Sequence, residues 1–235
     1  MIKNCIHKIL ERDLRKPLVG LFLLGLLGAP LHSVHAQTVV NFDYTNNMQD
    51  AFVANGGVEN TNFGTQDRIN AYHQVGQQIP MVFRTYIQYD LASIPANAII
   101  TEARLNLTTH TVNNAQNHPL YIERVGSSGW TETGINWNNQ PDVISVDQLA
   151  FSHAHTSTTG VHQFDVTDHV QNMVNNPTLN NGWRIRLQSE QASSDYGVMY
   201  HSSEATTVAN RPTLSVEYVL PIEIMQYRER IYGHL

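Results

Sequence analysis

The 235-residue sequence is poor in several residue types that define whole classes of protein. It holds one cysteine, and only 14% of its residues are charged. A single cysteine excludes a framework of intrachain disulfides, and the low charge excludes a solvated disordered chain or a charged coiled coil. The 14 basic and 20 acidic residues give a formal net charge of −6. This balance argues against a general nucleic-acid-binding protein, because phosphate binding needs clustered positive charge.

Long apolar runs are absent after the first thirty residues, so candidate membrane segments are confined to the N-terminus. There, a basic stretch precedes the apolar run 18–27, and the small residues Val34 and Ala36 follow. This pattern is typical of a secretory signal peptide cleaved after Ala36. The alternative is a membrane anchor, but the apolar run of about ten residues is shorter than the roughly twenty that a spanning helix needs. We expect residues 1–36 to be removed and the protein to be secreted or held at the cell surface, without membrane attachment.

Cleavage at this position would change the composition of the protein. It would remove every lysine and the cysteine, and leave nine arginines against eighteen acidic residues, a net charge near −9. The remaining chain is long enough to bury a core without disulfides.

Apolar residues after position 36 recur mostly with period two, in short β-branched or aromatic runs bounded by Gly, Asn, Pro or Ser. The predicted strands include 39–44, 51–53, 82–91, 103–108, 120–125, 148–153, 162–166, 183–187, 197–201 and 213–219. Their pattern predicts an all-β antiparallel sandwich or barrel. One short helix is expected from the spacing of Val166, Val170, Met173 and Val174, capped by Asp165 or Thr167 and ended by Pro177.

Six short sequence motifs follow one another along the chain. Each is weak alone, but the six in this order are specific. They are residues 49–53, 62–64 with Ile69, 84–95, 99–105, 130–141, and 164–170 with 211–214. Over about residues 38–219 they resemble the DNRLRE-domain family, also called carbohydrate-binding module family 96. The resemblance implies a jelly-roll β-sandwich over 37–220, usually a non-catalytic unit of secreted or surface polysaccharide-degrading proteins. Residues 220–224 resemble a linker, and residues 221–235 are expected to be a tail or a truncated linker.

The candidate sugar-binding residues are Arg68, Tyr72, His73 and Arg84, placed around a polar loop at 74–78. Arginine binds a carboxylate through two parallel hydrogen bonds, and uronic-acid polymers present one carboxylate per sugar. Family members that are similar to alginate binders imply basic contacts in this region. The alternative for Arg84 is a structural ion pair with a neighbouring carboxylate.

This chain departs from those alginate binders in charge. Gln88 stands where the resemblance predicts lysine, and a net charge near −9 would repel a polyanion. A neutral glycan therefore fits the composition better than alginate. Two tryptophans, Trp130 and Trp137, could stack on a sugar ring, but the preferred interpretation is that they close one end of the sandwich.

Two metal-binding hypotheses follow from the residue types. His153 and His155, with His162, have ligand chemistry for zinc or copper, although surface histidines are the favoured interpretation. Acidic side chains could supply oxygens to calcium: Asp43, Asp50, Asp90, Asp165 and Asp168. The aspartates lack a spaced calcium-loop pattern, so a structural calcium ion rests on analogy with other jelly-roll modules, and no cofactor is assigned.

The sequence favours binding over catalysis. Glu132, Asp142 and Glu190 lie in polar loops, but a glycosidase needs two carboxylates at a set separation, and no nucleophile elbow is present. We expect a secreted non-catalytic module that recognises an extracellular polysaccharide, and a larger secreted or surface assembly is a further candidate partner. The alternatives are a structural or adhesive surface module without a sugar site, and a small polysaccharide-degrading enzyme.

Overall fold

The structure is a computed structural model that describes residues 36–76, 78–113, 119–151, 159–191 and 193–221. Within these ranges the chain forms eleven strands and one α-helix. The strands are β1 (Gln37–Phe42), β2 (Gln49–Ala54), β3 (Arg68–Gln74), β4 (Met81–Gln88), β5 (Ile99–Asn113), β6 (Leu120–Val125), β7 (Val143–Phe151), β8 (Val161–Asp165), β9 (Trp183–Leu187), β10 (Tyr196–His201) and β11 (Thr213–Val219). The helix α1 is Thr167–Asn175.

The strands pair in a curled antiparallel sheet. Its path is β1-β11-β5-β10-β3-β4-β9-β6-β7, with β2 added on β4 and β8 on β5. The 15-residue strand β5 pairs with β11 and β8 along its first part and with β10 along its last part. The prediction of an all-β antiparallel sandwich with one short helix is confirmed.

The core forms because alternate residues of each strand point to the same side of the sheet. In β9, Trp183, Ile185 and Leu187 are buried in the core, whereas Arg184 and Arg186 point away from it. Burial of each large apolar side chain contributes about 1.5–3 kcal/mol. The sequence predicted the bounds of β6, β9 and β11 correctly, whereas β3 was not predicted as a strand.

Helix α1 packs its apolar side against β5 and the core. Val170, Met173 and Val174 are buried, and the helix ends before Pro177 as predicted. Asp165 accepts a hydrogen bond from the Thr167 amide at 3.1 Å, one residue before the N-cap position, Val166, which makes no side-chain cap. Among the described residues, none belongs to a helix with the length and hydropathy needed to cross a membrane.

The predicted signal peptide, apart from Ala36, lies outside the described residues, and so does the tail from residue 222. The boundaries predicted for the signal peptide and the tail stay predictions.

Candidate functional site

Two of the four predicted sugar-binding residues lie inside the fold. Tyr72 and His73 are on strand β3, not on the polar loop, and they are 5% and 2% exposed. The Tyr72 hydroxyl accepts a hydrogen bond from Asn113 Nδ2 at 2.8 Å. The His73 ring lies 5.5 Å from the ring of Tyr196, its partner on β10. Burial also raises the pKa of Tyr72. Both side chains are therefore buried within the fold and not displayed on its surface.

Arg68 begins β3 and remains accessible. Its side chain is 40% exposed and forms an ion pair with Asp67 at 3.5 Å. Arg68 and Tyr72 share one side of the strand by alternation, whereas His73 points to the other. The structure therefore does not bring the predicted set together on one surface.

Arg84, the fourth predicted residue, lies on β4 between a carboxylate and an aromatic ring. Its Nε and Nη2 donate to the Glu190 carboxylate at 2.8 and 2.6 Å, and Nη1 donates to Gln140 Oε1 at 3.0 Å. The guanidinium carbon lies 4.4 Å from the centre of the Trp137 ring. Burial opposes the charge of Arg84, but Glu190 outweighs it and raises its pKa. Arg84 thus combines both features that the sequence left open, a neighbouring aromatic ring and a structural ion pair.

The strands β4, β9 and β6 place further charged side chains beside Arg84. In the strand register, Arg184 lies opposite Tyr86 on β4 and opposite Glu123 on β6. Arg186 lies opposite Tyr121 on β6. Directly opposed residues of antiparallel strands share one face of the sheet. We call this surface the arginine face: Arg84, Tyr86, Tyr121, Glu123, Arg184 and Arg186, with Trp137, Gln140 and Glu190 at its edge.

Ion pairs fix the side chains of the arginine face. Glu123 accepts from Arg184 Nε at 2.8 Å and from Arg186 Nη2 at 3.0 Å, and Arg186 also lies 4.9 Å from the centre of the Tyr121 ring. Burial disfavours a charge on Glu123, but the hydrogen bonds from both arginines outweigh burial and lower its pKa. The face therefore presents ordered guanidinium groups, with Glu190 as a partly exposed acceptor and Glu123 as a buried one.

The sequence analysis missed Arg184, Arg186, Tyr121 and Glu123. A signal for the two arginines was present, because they alternate with buried apolar residues in β9 and so had to share a face. The strand order that puts this face next to Arg84 is not encoded in local sequence.

The two tryptophans have different environments. Trp130 is 8% exposed, and its Nε1 donates to the Asn181 carbonyl at 2.9 Å. Trp137 is only partly buried, and the guanidinium group of Arg84 stacks on its ring. Trp130 thus closes the fold as expected, whereas Trp137 reaches the arginine face.

A concave surface lies between the end of β4 and helix α1. This amide cleft has a volume of about 610 Å³, and its polar lining consists of Asn47, Gln49, Gln88, Asp90 and Asn180. Gln88, at the position where the resemblance predicts lysine, donates through Nε2 to the Asn180 carbonyl at 2.7 Å. No aromatic residue is among the described residues that line the cleft.

Three carboxylates come together in the part of the chain that the structure describes. One oxygen from each of Asp50, Glu132 and Glu204 lies within 4.8 Å of the others. The zinc hypothesis receives no such support: His153 and His155 lie outside the described residues, and His162 is buried with Nδ1 2.9 Å from the Tyr200 hydroxyl.

The other candidate calcium ligands serve local structure. Asp43 accepts from the Thr45 amide at 2.8 Å, and Asp90 accepts from the Ala92 amide at 2.9 Å. Asp165 forms an ion pair with Arg104 at 2.9 Å, and Asp168 lies in the first turn of α1. Of the five aspartates, Asp50 is the one that the described structure places in a carboxylate cluster.

Comparison with known families identifies the whole β-domain. The model of carbohydrate-binding module family 96 matches residues 41–218, from the end of β1 to the end of β11. No curated protein matches the chain.

Proposed function

The chain belongs to carbohydrate-binding module family 96, and we propose that it is a secreted, non-catalytic module that binds an extracellular polysaccharide through the arginine face. The observation that carries this proposal is the ordered set of guanidinium, carboxylate and amide groups beside the partly exposed Trp137 ring. Secretion is supported by the signal-peptide pattern of residues 1–36.

The ion pairs of the arginine face favour a neutral glycan. Arg84 is bound by Glu190, and Arg184 and Arg186 are both bound by Glu123. A ligand carboxylate would have to displace one of these glutamates. A sugar hydroxyl can donate to Glu190, whose side chain is 18% exposed, and accept from an arginine, so it adds hydrogen bonds without breaking an ion pair.

The same contacts support binding over hydrolysis. A glycosidase acid needs a raised pKa and a second carboxylate about 5–9.5 Å away across the substrate. Glu190 is held by Arg84 at 2.6 Å instead. The other group of carboxylates includes Asp50, which is 0% exposed and therefore unable to contact a polysaccharide.

A purely structural module is the second candidate, favoured by the bidentate Arg84–Glu190 pair, in which the side chains are only 20% and 18% exposed. Affinity electrophoresis of the purified protein in gels containing neutral glucans, xylans or mannans, or alginate or pectate, separates the two. We expect retardation by at least one neutral polysaccharide and no release of reducing ends. Retardation by none of these polymers would overturn the proposal and leave the structural candidate.

A further inference from the structure

Asp50, Glu132 and Glu204 come from three distant parts of the chain: strand β2, the loop after β6 and the turn after β10. We propose that these carboxylates bind one calcium ion, which ties the three segments together. This inference concerns a cation site separate from the arginine face and does not depend on sugar binding.

The spacing of the carboxylates suits calcium. Their ligand oxygens all lie within 4.8 Å of one another. Calcium binds six to eight oxygens at about 2.3–2.6 Å, so oxygens on one ion lie up to about 5 Å apart. Carboxylates supply hard oxygen ligands, and the cluster includes neither sulfur nor imidazole, which disfavours zinc or copper.

Glu132 is held in place by the segment that follows β2. Asn62 Nδ2 donates to the Glu132 carbonyl at 2.7 Å, and the Glu132 amide donates to Gln49 Oε1 at 3.2 Å. Gly64 lies so close that a Cβ there would be 2.1 Å from the Glu132 carbonyl oxygen. Glu132 Oε2 also accepts from the Asp50 amide at 3.3 Å. The position of the Glu132 carboxylate is thus fixed by several independent contacts.

The Ser203 hydroxyl lies between the carboxylates of Asp50 and Glu204 but can donate a hydrogen bond to only one of them. Its Oγ lies 2.8 Å from Asp50 Oδ1 and 3.0 Å from Glu204 Oε1. A hydroxyl carries a single proton, so one of these oxygens receives no hydrogen bond from it. The Ser203 amide donates to Asp50 Oδ2 at 3.0 Å. These donors are too few for three ionised carboxylates.

Buried oxygen atoms around the cluster have no partner. Glu204 Oε2 is enclosed and makes no hydrogen bond in the described structure. The Tyr89 side chain is 0% exposed, and its hydroxyl has no partner among the described residues. Asp50 lies opposite Ile87 in the pairing of β2 with β4, and Tyr89 follows Ile87 by two residues, so the side chains of Asp50 and Tyr89 lie on the same side of the sheet. The Tyr89 hydroxyl does not belong to the three carboxylates, and it is a buried polar group that a bound cation with its water ligands would satisfy.

The charge of the cluster is not balanced by protein groups. Among the described residues, no arginine or histidine forms an ion pair with any of the three carboxylates. Asp50 is 0% exposed; burial raises its pKa to about 7, and the neighbouring Glu204 and Glu132 charges contribute. Burial likewise raises the pKa of Glu132. A divalent cation would balance the negative charges of the three carboxylates.

The test is calcium titration of the purified protein after dialysis against EDTA and then against chelator-free buffer. Isothermal titration calorimetry should give one calcium per chain. The unfolding temperature should rise by about 5–10 °C at a calcium concentration 100-fold above Kd, with NaCl of equal ionic strength as the screening control. We expect Asp50→Asn, Glu132→Gln and Glu204→Gln each to weaken calcium binding at least tenfold. The matched control is Asp142→Asn, an exposed carboxylate ten residues after Glu132, which should bind calcium like wild type.

Folding of the variants can be checked without calcium. Asp50→Asn removes a buried charge at nearly constant volume, so in EDTA it should unfold at or above the wild-type temperature. Glu204→Gln changes a partly exposed residue and provides a milder variant. The proposal is overturned if calcium shifts the wild-type unfolding temperature no more than NaCl does. It is equally overturned if all three variants keep wild-type calcium affinity.

Discussion

The indole Nε1 of Trp183 donates a hydrogen bond to Nδ1 of His169 at 3.1 Å, inside the core. Because an indole N–H can only donate, Nδ1 is the acceptor, and the proton of neutral His169 is on Nε2. Nε2 then donates to the Asp147 carbonyl at 2.8 Å. The ring is therefore fixed in one neutral tautomer, and a second proton on Nδ1 would break the bond from Trp183.

This arrangement predicts a loss of stability at mildly acidic pH. Burial lowers the pKa of His169; Asp147 and Asp168 act against this shift, and Arg124 adds to it. The unfolded chain takes up a proton near pH 6.5, whereas the folded chain does so only at lower pH. The contribution of His169 is therefore complete above about pH 6.5 and declines as the pH falls toward the lowered folded pKa.

Urea unfolding of wild type and His169→Gln between pH 7.5 and 5.5 measures this contribution. The variant should be less stable at pH 7.5, by about 1–3 kcal/mol for lost buried hydrogen bonds. Its disadvantage should shrink as the pH falls. A difference that stays constant over this range would contradict the fixed neutral tautomer.

Substitutions on the arginine face should weaken polysaccharide binding. Trp137→Ala removes the ring under Arg84, and Arg84→Lys loses the two parallel bonds to Glu190. We expect each to reduce affinity for the bound neutral polysaccharide by about 5–30-fold, the equivalent of about 1–2 kcal/mol. Affinity electrophoresis at several polymer concentrations measures the affinity of each variant for the polysaccharide.

Gln88→Ala, in the amide cleft, is the matched control for the arginine face. It should leave the affinity unchanged if the arginine face is the binding surface. A loss confined to Gln88→Ala would move the site to the cleft. For a neutral ligand, binding should also change little between low and high NaCl, because no ligand charge is screened.

Removing Glu123 should destabilise the fold strongly. Its side chain is 2% exposed and pairs with both Arg184 and Arg186. Glu123→Ala leaves two partly buried guanidinium groups without an anion, and we expect a loss of about 3–5 kcal/mol in the free energy of unfolding. Glu102→Ala, which removes the exposed partner of Arg104, should cost at most about 1 kcal/mol. Denaturant unfolding measures both losses. If Glu123→Ala and Glu102→Ala lose the same free energy of unfolding, the burial of Glu123 does not strengthen its ion pairs.

Gly64→Ala should destabilise the loop that carries Glu132. Its Cβ would lie 2.1 Å from the Glu132 carbonyl oxygen, a backbone atom that cannot move without the loop. We expect a loss of about 1–3 kcal/mol, measured by thermal unfolding. Gly126→Ala, whose Cβ would meet its nearest atom at 3.4 Å, should be close to neutral. Wild-type stability of Gly64→Ala would contradict the close contact between Gly64 and the Glu132 backbone.

Local sequence predicted the secondary structure where burial follows a simple period. The bounds of β9 and β11 agree with the predictions because apolar and polar residues alternate along them. Strand β6 is buried at five of its six positions, and it was predicted from its aromatic and β-branched residues Tyr121, Ile122 and Val125. Strand β3 was missed because nearly all of Arg68–Gln74 is buried, including the polar Asn70 and His73. A strand that is covered on both faces shows no polar and apolar alternation, so neither this strand nor the burial of Tyr72 and His73 was predicted.

The sequence by itself determined the all-β class, the short helix and the family, because these follow from periodicity and from phrases of contiguous residues. Only the tertiary structure decided which charged groups meet. Arg84 and Glu190 are separated by 106 residues, and Asp50 and Ser203 by 153. Such contacts depend on strand order and register, which are set by the packing of the whole sheet. The same packing buried Tyr72 and His73 and gathered Asp50, Glu132 and Glu204.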